Sequence, residues 1–158
     1  MTRCGAHDHD HAPEELLLTA ERACRDAGLR LTEIRRRVLA LIASEPRPIK
    51  AYDLMAQLSD ERGRPAAPPT VYRALEFLLE HGFIHRIESL NAYVTCPHPS
   101  EPHRTRFLIC DQCQETIELE DDGLSGRLEL QAQAQGFLPQ RELIEIHGVC
   151  RTCQAANA

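Results

Sequence analysis

Tryptophan is absent, and aromatic residues make up only 4% of the 158-residue chain. That content excludes a single large aromatic core, and small cores are often supplemented by a structural metal or a subunit interface. No apolar run approaches 18 residues, so no membrane span is expected. The N-terminus, MTRCGAHDHDHAPEE, has no basic start followed by an apolar stretch, so it does not read as a secretory signal and a cytoplasmic protein is expected. Positive charge is also short. The formal net charge is −6, which at first argues against nucleic acid as a partner. The deficit is local, however. Residues 1–86 carry 13 Lys/Arg against 13 Asp/Glu, whereas residues 87–158 carry 5 against 11, so a basic face is still possible in the first half.

That first half has helical spacing. PEELLLTAERACRDAG opens on Pro13, places Glu14 and Glu15 in its first turn and stops at Gly28, with Leu16, Leu17, Ala20, Ala23, Cys24 and Ala27 on one face. A second helix starts at Thr32, whose hydroxyl can cap it, and has Ile34, Val38, Leu41 and Ile42 on its apolar face. A third, KAYDLMAQLSDERG, is expected to bury Tyr52, Leu54, Met55 and Leu58 and to stop at Gly63. A fourth, PPTVYRALEFLLEHG, runs from a proline pair to Gly82. Two β-like runs follow, FIHRIE and AYVT, joined by the turn-like SLNA. Short helices followed by a hairpin fit a winged helix-turn-helix, in which the last helix enters the DNA major groove. The same order occurs in protein-binding modules, so pattern alone leaves the partner open.

CPHPSEPH, with three prolines in eight residues, reads as a linker. Beyond it, strands RTRFLIC and ETIELE, a helix LSGRLELQAQAQ ending at Gly136 and a strand RELIEIHGV make a small α+β unit. Its few apolar strands and uncovered sheet edges suggest dimerisation. The expected division is therefore 1–95 for a winged-helix domain with residues 1–12 disordered, 96–103 for a hinge, and 104–158 for a dimerisation and metal-binding domain.

Cysteine is the most informative residue type. There are seven, an odd number, and four of them form two C-x-x-C pairs: Cys110 with Cys113, and Cys150 with Cys153. Each C-x-x-C turn presents two thiolates to one ion, and two such turns complete a tetrahedron. Four soft thiolates leave no open coordination position, so the site is read as structural, with zinc first and tetrahedral iron second. The competing reading is a pair of redox-active dithiols, although neither pair lies in a βαβ context.

With these features in place, the chain resembles the ferric uptake regulator superfamily of metal-sensing bacterial repressors. RLTEIRRRVLALI, AYDLMAQL, PPTVYRALEFLLEHGFIHRIE, FLICDQC and IEIHGVCRTC carry the resemblance from about residue 14 to 153. Within the superfamily it looks most like the zinc uptake regulator branch. The resemblance implies a winged helix, a hinge, an α+β dimerisation domain and structural zinc on the four cysteines. It also implies a second, regulatory zinc in each subunit, on His85, Cys96, His103 and Glu118. Two imidazoles, a thiolate and a carboxylate suit zinc better than manganese or magnesium. Iron-sensing relatives usually have a denser histidine cluster before the first C-x-x-C, whereas EPHRTRFLIC has a single histidine.

Taken singly, each of these residues has a plainer explanation. His85 fits a buried histidine, Cys96 a small apolar residue, and Glu118 a solvated member of ELEDD. His98 and Glu101 are rival ligands; His81 fits a helix-end charge, His147 a packing residue or a support behind the cysteine ligands, and Cys24 a core residue. CGAHDHDH reads as a histidine-rich tail. For DNA, Arg73 can pair with guanine O6 and N7, Tyr72 can meet a thymine methyl or a phosphate, and Thr70 can bind phosphate with the helix's free N–H groups. At least one of Arg35, Arg36 and Arg37 is expected on phosphate, with Arg36 preferred, and so is Lys50. The expected function is a homodimeric, zinc-responsive regulator of palindromic promoter DNA that mainly represses zinc-uptake genes. It is not expected to be an enzyme, to bind membranes or to take a small-molecule substrate beyond zinc. The alternatives are an iron, manganese or peroxide sensor of the same superfamily, a C-x-x-C thiol oxidoreductase, and a zinc-stabilised protein-interaction module.

Overall fold

The computed structural model describes residues 13–59, 64–97, 99, 105–119 and 122–156. The chain forms two compact units, 1–102 and 103–158.

In the first unit, α1 (Pro13–Asp26) and α2 (Glu33–Ser44) are joined by a short turn through Gly28, whose φ of 66° is left-handed and therefore suits glycine. Thr32 occupies the N-cap of α2 in extended conformation, but its hydroxyl makes no capping bond. Glu33 in the first turn provides the favourable charge there instead. Strand β1 (Ile49–Lys50) leads directly into α3 (Ala51–Gln57). Helix α4 (Pro68–Glu80) has proline at its start, where the missing N–H costs nothing, and ends at Gly82 with φ 70°. Strands β2 (Ile84–Ile87) and β3 (Ala92–Thr95) form the hairpin, with Asn91 left-handed in its turn.

The core of this unit gathers Leu16, Leu17 and Ala20 from α1, Val38, Leu39 and Ile42 from α2, Leu54 from α3, and Val71, Leu75 and Leu78 from α4. Phe77, Phe83 and Tyr93 add three aromatic rings to an otherwise mainly aliphatic core.

Three local expectations change. Tyr52, assigned to the core from its spacing, is 78% exposed. Helix α3 is only seven residues long, so its inward stripe is supplied by Ala51 and Leu54, with Leu58 buried just past its end. That helix also stops well before the expected Gly63, which lies outside the described residues. Leu58 caps it by donating its N–H to the Leu54 carbonyl, and a Ser59–Pro65 bridge follows. The hairpin is a three-stranded sheet in the order β1-β3-β2, because Ile49 and Lys50 pair with Tyr93 and Ala92. A two-residue strand has no periodicity to detect.

In the second unit, β4 (Arg106–Cys110), β5 (Thr116–Glu118) and β6 (Ile144–Gly148) form a sheet in the order β5-β4-β6. The β4–β5 pairing is antiparallel and the β4–β6 pairing parallel. The connection between β4 and β6 contains α5 (Asp122–Ala134), as a parallel pairing requires a crossover. A short helix, α6 (Arg151–Ala156), follows β6. A buried polar cluster joins these elements. Arg106 is 2% exposed, donates to Glu142 at 3.1 Å and also to Ser125 on α5, and the Ser125 hydroxyl donates to Glu142 at 2.7 Å. A buried guanidinium is tolerable only when its charge and donors are met in this way.

Among the described residues, no helix is long and apolar enough to cross a membrane. The burial pattern of α3 predicts that Leu54→Ala destabilises the protein by about 2–5 kcal/mol, whereas Tyr52→Ala stays within about 0.5 kcal/mol. Urea unfolding of the two variants checks this, and a Tyr52→Ala loss comparable to that of Leu54→Ala would return the tyrosine to the core.

Candidate metal centre and nucleic-acid interface

The parallel pairing of β4 and β6 aligns Cys110 with Gly148, so the two C-x-x-C segments leave the sheet at the same end. The first segment turns back at once. Gln114 takes a left-handed φ of 61°, its N–H donates to the Cys110 carbonyl at 2.8 Å, and the Cys110 N–H donates to the Glu115 carbonyl at 2.9 Å. The Asp111 N–H donates to the Gly148 carbonyl at 2.8 Å, which pins this turn to the end of β6. The second segment enters α6, with Cys150 just before the helix and Cys153 within it. The Cys150 N–H points at the Cys110 Sγ, 3.3 Å away.

The result is one cluster. The ligand atoms of Cys110, Cys113, Cys150 and Cys153 all lie within 4.8 Å of one another. Cys113 and Cys150, from different pairs, have their sulfurs 3.7 Å apart. A tetrahedron of thiolates about 2.3 Å from zinc has edges of about 3.8 Å, whereas a disulfide requires about 2.05 Å. The donor set and its spacing therefore fit zinc. The contact between Cys113 and Cys150 joins the two pairs into one four-thiol cluster, which is not the arrangement of two independent redox dithiols.

The thiols differ in acidity. Burial pushes Cys110 up, but N–H groups of Cys150, Cys113 and Gln112 and the Cys113 side chain outweigh it and bring the thiol down to about 6. At Cys150 the Cys153 N–H favours the thiolate, yet burial and the Glu115 and Cys113 side chains leave the thiol raised. Cys153 is raised strongly, first by its hydrogen bond with Cys150, then by burial and by the other two thiols. Without a cation, Cys110 ionises readily while Cys150 and Cys153 hold their protons. His147, at the end of β6, is hydrogen-bonded through Nδ1 to Asp111 at 2.9 Å, within the first knuckle. The sequence placed His147 near the cysteines as a packing residue, but it gave no sign of Asp111 as the partner.

The candidate regulatory ligands belong to both units. In the first, His85 pairs with Val94 across β2 and β3, and the Cys96 N–H donates to the Phe83 carbonyl at 3.0 Å. Paired residues share a sheet face, as do residues two apart, so His85 and Cys96 are diagonal neighbours on one face of the hairpin. Cys96 is fully buried and His85 partly so. In the second unit, Glu118 ends β5 opposite Phe107, with both carboxylate oxygens sheltered from solvent. His103, its rivals His98 and Glu101, and the CGAHDHDH segment lie outside the described residues. His81 caps α4 and sets its ring edge-on to Phe77, with centroids 4.4 Å apart; Cys24 is core.

Helix α4 has two distinct sides. Val71, Ala74, Leu75, Phe77 and Leu78 are buried, while Thr70, Tyr72 and Arg73 are exposed. Tyr72 is 47% exposed. Thr70 lies in the first turn and Lys50, also exposed, is the N-cap of α3. The arginine run of α2 does not form one patch. Arg36 is ion-paired with Glu21 of α1 at 2.8 Å, Arg37 donates to the Ser59 carbonyl at 3.3 Å, and Arg35 lies over the Phe77 ring at 3.6 Å.

Comparison with known proteins agrees with this anatomy. The Ferric uptake regulator family profile matches residues 26–147. The zinc uptake regulation protein of Escherichia coli K12 is 40% identical over 146 residues, covering 92% of this chain and 85% of that protein. Among solved structures, a zinc uptake regulator complexed with zinc and DNA superposes with a TM-score of 0.86 at 39% identity, over 94% of this chain and 99% of that one. The crystal structure of holo XcZur superposes with a TM-score of 0.80 at 48% identity, over 91% and 99%.

The thiol acidities predict how the centre loads. Cys150 and Cys153, both raised, carry protons at pH 7, so ion binding must displace them. Loading the apo protein is expected to release at least about two protons per chain, and apparent zinc affinity should fall at least about 100-fold between pH 7 and pH 6, roughly tenfold per proton. Chelator competition at the two pH values, with proton release followed in weak buffer, measures both. An affinity independent of pH would contradict the assignment.

Proposed function

The chain belongs to the ferric uptake regulator family, and from that premise we propose that it is a zinc-responsive transcriptional regulator of the zinc uptake regulator type. It binds palindromic promoter DNA as a homodimer when zinc is bound, mainly repressing zinc-uptake genes, and it acts in the cytoplasm and not as an enzyme. The observation that carries this reading is the four-thiol cluster in the same chain as an α4 that buries one side and leaves Thr70, Tyr72 and Arg73 open. Thiolate donors favour zinc among the metals this family senses.

Each subunit takes two zinc ions in this reading. One is structural, held by Cys110, Cys113, Cys150 and Cys153. The other is regulatory, held by His85, Cys96, His103 and Glu118, a donor set of two imidazoles, a thiolate and a carboxylate that would bind zinc tetrahedrally. The burial of Cys96 and its place on one hairpin face with His85 support the set. Zinc on this set acts by favouring the DNA-binding state of the protein over the others. A symmetric dimer meets two half-sites together only when its recognition helices have the right separation.

The second unit supports dimerisation. Leu130, Phe137, Leu138, Leu143, Ile146 and Val149 are all exposed there, and β6 is a free edge of its sheet. So much apolar surface beside an open strand favours covering by a second copy. On DNA, Arg73 reads guanine, Tyr72 meets a thymine methyl or a phosphate, and Thr70, Arg36 and Lys50 bind phosphate. The Glu21 ion pair holds the Arg36 guanidinium on the exposed side of α2.

A coupling of about 1–3 kcal/mol between zinc and DNA corresponds to roughly 5- to 150-fold in affinity. Because coupling is reciprocal, saturating DNA must tighten regulatory zinc by the same factor. Cys96→Ser and His103→Ala are expected to fold with one zinc per chain, against two for the parent, and to lose zinc-responsive DNA binding. Metal analysis and a DNA titration against free zinc read these together, and a parental response in both variants would remove the regulatory site. On the DNA side, Arg73→Ala should relax base preference, while Arg36→Ala should weaken all sequences and flatten the salt dependence. Equal loss on specific and random duplexes for Arg73→Ala would exclude it from base reading.

A further inference from the structure

We propose that Arg35 is a positioning residue for the recognition helix: its guanidinium, stacked on Phe77, sets the roll of α4 and with it the aim of Arg73. The inference rests on the reading of α4 as the helix that meets base edges.

Three consecutive arginines on a helix point about 100° apart. In α2 this gives each one a different neighbour. Arg36 turns to Glu21 of α1, Arg37 to the Ser59 carbonyl beyond α3, and Arg35 to Phe77 of α4. A run that reads as a phosphate-binding patch thus ties α2 to its surroundings on three sides.

Arg35 is held at two points. Its NH1 donates to the Arg30 carbonyl at 2.6 Å, and the centre of its guanidinium lies 3.6 Å from the centroid of the Phe77 ring. Phe77 is fixed in turn, because His81 meets it edge-on with centroids 4.4 Å apart. A flat guanidinium on an aromatic face is an attraction that lysine's compact ammonium does not reproduce.

Phe77 lies four residues after Arg73, one turn along the same line of the helix. The two side chains therefore rotate together. A guanidinium roughly 8 Å from the helix axis moves on the order of 1.4 Å for a 10° roll. A bidentate pair with guanine needs placement within about 0.5 Å. Any roll that spoils Arg73's aim must also drag Phe77 from under Arg35, so the stack resists that motion. Arg35 thereby acts on base discrimination without touching DNA.

This role and a phosphate contact predict different behaviour. Each phosphate contact contributes about 0.9 to the slope of log affinity against log salt, and a positioning residue contributes nothing to it. The probe is the duplex that the zinc-loaded parent protein selects from a random pool, compared with an unselected duplex over a salt series. Arg35→Lys is expected to lower the selected-to-unselected affinity ratio roughly tenfold, within the range that one bidentate pair provides. Unselected binding and the salt slope should not change, either in Arg35→Lys or in Arg35→Gln, whose lost charge would flatten the slope of a phosphate contact. Phe77→Leu should produce the same loss, and the double variant should lose no more than either single one. It also carries the test from the other partner if Arg35→Lys does not fold. A flatter salt slope, a parental ratio in Arg35→Lys, or additive losses in the double variant would each overturn the proposal. A parent protein that selects no duplex would overturn the DNA-binding reading itself, and this inference with it.

Discussion

Four sulfurs within 4.8 Å of one another cannot all be thiolates unless a cation lies among them. Everything in the second unit converges on that constraint. Parallel β4 and β6 bring the two knuckles to one edge, the crossover through α5 makes the parallel pairing possible, and the left-handed Gln114 folds the first knuckle back. The uneven acidities show the constraint locally, with Cys110 lowered to about 6 and Cys150 and Cys153 raised. A unit of this size, with few buried aliphatic residues, gains from a cross-link between the ends of two strands more than a larger domain would. The buried Arg106–Ser125–Glu142 cluster serves the opposite end of β4, where it joins the strand to α5 and to the segment before β6.

The first unit is held together differently. Its core is mainly aliphatic with three aromatic rings, so interlocking side chains define the packing. The arginine run of α2 adds polar ties that reach three neighbours. Such ties add specificity of arrangement more than stability, since exposed ion pairs contribute little. That suits a domain whose use depends on where α4 points.

Much of this fold was legible in the sequence, where the physical signal was local. Pro13, Pro68, Gly28 and Gly82 mark helix ends because φ and the missing N–H act within a few bonds. The C-x-x-C pairs announced their cluster because a turn of fixed length fixes two ligands. The misses share a different cause. Tyr52 has the spacing of a buried residue, but α3 is too short to bury its whole stripe. The pairing of β1 with β3 and the buried Arg106 depend on partners tens of residues away, which no window of spacing reports. α6 begins between the second pair of cysteines, where ligand spacing drew attention away from helix.

The arginines of α2 carry the same point into function. Their composition is that of a phosphate-binding patch, and the proposed function gives that role to Arg36. A helix turns about 100° per residue, so three neighbours in sequence are not neighbours in space. Arg35 is directed at the aromatic ring that lies one turn from the residue best suited to read guanine. In the proposed function, charge in this unit therefore acts in two ways that composition cannot separate: outward on phosphate, and inward on the aim of α4.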